Sequence, residues 1–117
     1  MRNDKENLIV NLTFDYALKI INFSENLRSL HKYEMSSQIF RSGTSIGANI
    51  REAQNAESKA DFIHKFKISA KEADELEYWL KLCDKSEFYP NPNNSLLEDL
   101  KTIIKIISKI ISSSKRR

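Results

Sequence analysis

The chain has 117 residues, of which 40% are hydrophobic and 30% charged, with a formal net charge of +3. That length suits one domain, which can bury about two-thirds of its unfolded surface without a metal or a disulfide. Two glycines, two prolines and a lone Cys83 exclude an all-β fold with a turn about every ten residues, an intrachain disulfide and a structural zinc centre.

The first helix is predicted over about 8–30. Tyr16, Ile20, Phe23, Leu27 and Leu30 recur at alternating steps of four and three, the spacing of one helix face. Phe14, Ala17, Leu18 and Ile21 widen that stripe, as a helix with two packed neighbours requires. Leu8, Ile9 and Val10 fit either the helix or an extended lead-in. The second helix, over 34–55, carries Met35, Ile39, Ser42, Ile46, Asn49 and Ala53 on its face, with Gly43 and Gly47 one turn apart. Each internal glycine costs roughly 1 kcal/mol against alanine, a cost that makes sense if another backbone comes close. Ser42 and Asn49, if buried, need hydrogen-bond partners.

The third helix, over 58–87, opens at the capping box Ser58-Lys-Ala-Asp61. Its stripe of Phe62, Phe66, Ser69, Ala73, Leu76, Leu80 and Cys83 is unbroken, which favours shallow crossing of its neighbours. Pro90-Asn-Pro92-Asn-Asn94 then breaks the chain. Ser95-Leu-Leu-Glu98 offers a second capping box for a fourth helix over 95–112, lined by Leu96, Leu100, Ile103, Ile107 and Ile110. Residues 113–117 read as a frayed, polar, basic tail. Short connections make neighbouring helices antiparallel, so the prediction is one all-α domain over 1–117, an up-down-up-down four-helix bundle. Early charges at Arg2, Asp4, Lys5 and Glu6 argue against a secretory signal, and lysines interrupt the isoleucine-rich last helix before it could span a membrane. A soluble, cytoplasmic protein is the expectation.

Catalytic chemistry finds little support. A di-iron bundle needs Glu-x-x-His on two helices, whereas Asp61-Phe-Ile-His64 occurs once. Gly43-Thr-Ser-Ile-Gly47 lacks the spacing and the Gly-Lys-Ser/Thr of a phosphate loop. Cys83 falls on a core stripe, where thiols are inert. No metal, no cofactor and no catalytic residue are predicted.

Charge placement is more telling. From Leu96 onward six basic residues (Lys101, Lys105, Lys109, Lys115, Arg116, Arg117) face only Glu98 and Asp99, while the preceding 95 residues hold 13 basic and 14 acidic ones. Lys101, Lys105 and Lys109 fall four apart on one helix face, which Arg116 extends, and such a stripe can follow a phosphate backbone. A solvated face favoured by the helix dipole is the plainer explanation. Arg41, Arg51 and Lys65, with Lys59, Lys67 and Lys71, form a second basic group interleaved with acids. Tyr78 and Trp79 flank the third stripe and fit either a wide core or a partner surface.

Arg41-Ser-Gly-Thr-Ser-Ile-Gly-Ala-Asn-Ile-Arg-Glu-Ala53, then Ala56-Glu-Ser-Lys-Ala-Asp-Phe-Ile-His-Lys65, Lys71-Glu-Ala73 and Tyr78-Trp-Leu80, resemble the four helix bundle protein family. That family was first met as proteins encoded in intervening sequences of bacterial 23S ribosomal RNA genes, and it includes the accessory variability protein of diversity-generating retroelements. The resemblance runs from about Leu8 to Ile111. It departs at Leu30-His-Lys-Tyr33, where many members carry a proline. It implies a barrel-like homopentamer which, in the retroelement branch, binds nucleic acid and a reverse transcriptase through basic surface. Ser42, Gly43, Ser45, Gly47 and Asn49 match the central block and are read as packing and assembly residues, with Tyr78 and Trp79 beside them. The nucleic-acid candidates Lys101, Lys105, Lys109, Arg116, Arg41, Arg51 and Lys65 belong to no fixed motif. A protein scaffold, or an accessory subunit of a reverse transcriptase that does not itself touch nucleic acid, is the alternative.

Overall fold

A computed structural model describes residues 4–116 as four helices, α1 (Asp4–Ser29), α2 (Tyr33–Ala53), α3 (Lys59–Lys85) and α4 (Asn94–Arg116). Each packs on the next and α4 closes back on α1, while the diagonal pairs make no close backbone approach among the described residues. The result is an all-α up-down-up-down bundle measuring 47 × 20 × 19 Å. One apolar core runs through it, from Ile9 and Ile20 to Ile39, Ile46, Phe66, Leu76, Leu80, Leu100 and Ile107.

The helix ends depart from the predicted ones for local reasons. α1 begins at Asp4 and takes in the ambiguous Leu8–Val10 stretch, whose Ile9 is fully buried. It ends at Ser29, which leaves Leu30 half exposed and off the core. There His31 adopts a left-handed φ of 63°, and the Lys32 N–H returns to the Leu27 carbonyl at 2.9 Å. This is a Schellman-type stop built on histidine where glycine is usual. The proline missing from this connection is therefore not required to end the helix.

At α3 the Ser58 Oγ accepts from the Asp61 N–H at 3.0 Å, as the capping pattern predicts; the Asp61 carboxylate reaches the Glu57 N–H. At α4 the predicted Ser95 box is replaced by Asn93, whose Oδ1 accepts from the Leu96 N–H at 3.0 Å and from the Ser95 hydroxyl at 2.6 Å. Asparagine holds its acceptor in a planar amide and is among the best caps. The 113–116 stretch is helical, not frayed, because Ser114 continues the buried stripe.

α2 is rotated from the predicted face. Ser36, Ile39, Gly43, Ile46, Ile50 and Ala53 are buried with Ser42, whereas Asn49 is only half-buried. Small residues let α2 sit close to both neighbours. Ser36 donates to the Ser24 carbonyl at 2.9 Å and Ser24 returns a bond at 3.4 Å, clasping α1 to α2. Ser69 donates across the α2–α3 seam to the Ile46 carbonyl at 2.8 Å. α4 instead keeps its backbone farther from α3 and α1, held off by large aliphatic side chains such as Leu100, Ile103 and Ile107.

Candidate functional site

Two surfaces of the bundle call for an explanation beyond folding. The first is the outer ridge of α4. Its buried line is Leu96, Leu100, Ile103, Ile107 and Ile110, so the 100° turn per residue puts Lys101, Lys105 and Lys109 on the far side of the helix. All three are exposed and, among the described residues, none forms an ion pair. Arg116 lies on the same side and donates to Ser112 Oγ at 3.2 Å.

The other basic candidates are placed differently. Arg41 is held by the carboxylates of Glu72, at 3.2 Å, and Glu75 across the α2–α3 seam. Lys65 donates to Glu52 at 3.0 Å, and that bond and charge raise its pKa above the usual lysine range. Each must give up a carboxylate before it can meet a phosphate. Arg51 is exposed on α2 and forms no ion pair among the described residues. The structure therefore joins Lys101, Lys105, Lys109 and Arg116 on one helix face and leaves Arg41, Arg51 and Lys65 on other elements.

The second surface flanks the α1–α2 seam. α1 turns Thr13, Ile20 and Ser24 toward α2, and α2 presents Gly43, Gly47 and Ser36 in return. A Cβ added at Gly43 would sit 2.5 Å from the Ile20 Cγ2 atom, and one at Gly47 would lie 3.3 Å from the Thr13 carbonyl oxygen. Just outside this seam lie Phe14, Leu18 and Phe40, exposed by 59%, 50% and 47%. Phe14 and Leu18 therefore do not widen the core. Periodicity cannot separate an apolar stripe that faces the core from one that continues beyond it. Phe40 belongs to no predicted stripe; its place three residues before Gly43, on the α1 side of α2, is the sequence signal for it.

The remaining members of the central block serve α2 itself. Ser42 donates to Gln38 O, Ser45 to Arg41 O and the Asn49 amide to Ser45 O, at 2.8, 2.6 and 2.9 Å. Tyr78 is 59% exposed, and Trp79 packs partly buried against the core, its ring meeting that of Tyr78 edge to face.

An open cleft of about 440 Å³ between α1 and α4 is lined by Asp15, Tyr16, Lys19, Asp99 and Thr102 among others, which do not make up a catalytic set. Within it Lys19 pairs with Asp99 at 2.8 Å, and the Tyr16 hydroxyl donates to the Leu96 carbonyl at 2.7 Å. Burial, helped by the Asp99 charge, pushes the Tyr16 pKa far above the usual phenol value. These groups latch α4 to α1. The Cys83 thiol is pushed up to about 11 by burial and is unsuited to nucleophilic work at neutral pH. Among the described residues no cluster of His, Cys, Asp and Glu could hold a metal, and no helix is long and apolar enough to cross a membrane.

The chain matches the model of the family described as 23S rRNA-intervening sequence protein over residues 5–109. Among solved structures it is similar to a protein of unknown function from the S23 ribosomal protein family of Bacteroides thetaiotaomicron VPI-5482. The two are 42% identical, the match covers 92% of this chain and 98% of that one, and the TM-score is 0.85. No curated protein matches the chain.

Proposed function

The chain belongs to the 23S rRNA-intervening sequence protein family, and from that premise we propose that it is a non-enzymatic, oligomeric, cytoplasmic bundle that associates with RNA or DNA through the outer ridge of α4. The observation that carries this reading is the file of Lys101, Lys105 and Lys109, which the fold exposes together while Arg41 and Lys65 are held by acids. Lysines that keep no carboxylate can gain from releasing the counterions of a polyanion. The exposed Phe14, Leu18 and Phe40 on α1 and α2 support self-association, because large apolar side chains gathered at a protein surface mark an interaction site. The homopentamer is the assembly that the resemblance implies.

Binding of labelled RNA and DNA at about 50 mM salt tests the reading. Replacing Lys101, Lys105 and Lys109 together by glutamine is expected to weaken binding at least tenfold, since three phosphate contacts are lost. Replacing Arg41 and Lys65 is expected to change it less than threefold. Equal losses from both sets would contradict the assignment to α4. A mass in solution equal to one chain would remove the oligomer.

The protein scaffold is the second reading, favoured by the same exposed Phe14, Leu18 and Phe40 and by Tyr78. Under it, a protein such as a reverse transcriptase co-purifies, and the triple glutamine variant retains its partner.

A further inference from the structure

Resting on the nucleic-acid reading, we infer that the α4 ridge follows one phosphate strand of a double helix and reads no bases. Four-residue steps on an α-helix advance about 6 Å each, so Lys101, Lys105 and Lys109 form a single file of cations roughly 12 Å long. Duplex nucleic acid carries one charge per about 1.7 Å of axis, or about 3.4 Å per strand. Along the winding backbone, successive phosphates of one strand stand farther apart than that axial rise, so three lysines about 6 Å apart meet about one phosphate each and leave the other strand untouched.

The composition of α4 argues against base reading. A helix that reads a major groove presents its N-terminal residues to base edges, with bidentate Arg, Asn or Gln carrying most of the discrimination. Asn94 opens α4 about two turns before the file; from there to Lys115 the helix contains no further Arg, Asn or Gln, and exposed Glu98, Thr102 and Ser108 lie beside the lysines. Recognition of single strands leans on aromatic platforms for stacking, and α4 has no aromatic residue. The exposed aromatics Phe14, Tyr33, Phe40, Tyr78 and Phe88 stand on α1, α2, α3 and the α3–α4 loop. A lipid surface fits no better, because the Leu and Ile face of α4 is spent on the bundle core and nothing apolar remains on the ridge to enter a bilayer.

The test uses the full chain with 12-base-pair RNA and DNA duplexes of two unrelated sequences, the corresponding single strands, and phosphatidylserine vesicles, over a salt series. Duplexes of both kinds and both sequences are expected to bind within about threefold of one another, and single strands at least tenfold more weakly. Lys101→Gln, Lys105→Gln and Lys109→Gln are each expected to lower the log–log salt slope by about 0.9, equally for every duplex. Tighter binding to single strands, tenfold discrimination between duplex sequences, competition by the vesicles, or slopes that the substitutions leave unmoved would overturn the inference while the broader function stands. Failure to bind any nucleic acid at low salt would remove both.

Discussion

α2 and α4 lie diagonally in the same bundle and solve opposite problems. α2 is built of small residues, and Gly43, Ser36 and Ser42 bring its backbone close to α1 and α3. α4 is built of leucine and isoleucine, holds its backbone farther from its neighbours, and keeps its lysines facing outward. The first depends on shape, where an added methyl group is felt. The second depends on bulk, and its far side is free to change without cost to the fold. A bundle can thus hold its architecture in one pair of helices and carry a charged surface on another.

If α4 is held by bulk, emptying its core has the largest effect. Ile107→Ala is expected to cost about 2–5 kcal/mol in urea unfolding, and a loss under 1 kcal/mol would mean that α4 barely contributes. The Tyr16 latch sharpens the same side. Its folded pKa lies above the ordinary 10.0, so its share of the stability is intact below pH 10 and is lost as pH rises beyond it, at about 1.4 kcal/mol per unit. Tyr16→Phe should flatten alkaline unfolding in that range and cost about 1 kcal/mol at neutral pH. An unchanged alkaline slope would show that the hydroxyl is not the titrating group.

A smaller effect separates the two candidate caps of α4. Asn93→Ala should cost about 1 kcal/mol, and Ser95→Ala much less; the reverse order in thermal melts would restore the sequence-based assignment. Smallest of all, the triple Lys101, Lys105 and Lys109 glutamine variant should unfold within about 0.5 kcal/mol of the parent. A larger shift would mean that the ridge contributes to folding, contrary to the contrast drawn with α2.

The four helices and their core stripes could be read from spacing because burial imposes a 3.6-residue period on the sequence. Helix ends were legible only where a capping pair marks them, as Ser58 and Asp61 do for α3; the left-handed turn at His31 and the Asn93 cap leave no periodic trace. Stripe width was also ambiguous, so Phe14 and Leu18 read as core and Asn49 as buried. On the candidate surface, the Lys101, Lys105 and Lys109 file was visible because it is local to one helix. The neutralisation of Arg41 by Glu72 and Glu75, 31 and 34 residues away, arises only when α2 and α3 meet.

The contrast between the two helices rests on the α1–α2 seam having no room to spare, and urea unfolding of Gly43→Ala probes that alone. Helix propensity by itself would raise stability by about 1 kcal/mol. A Cβ placed 2.5 Å from Ile20 Cγ2 must instead lower it, by roughly 1–3 kcal/mol; in a double-mutant cycle on the Ile20→Ala background, itself destabilised by the lost core side chain, Gly43→Ala should add no further loss. A single variant more stable than the parent would contradict the account.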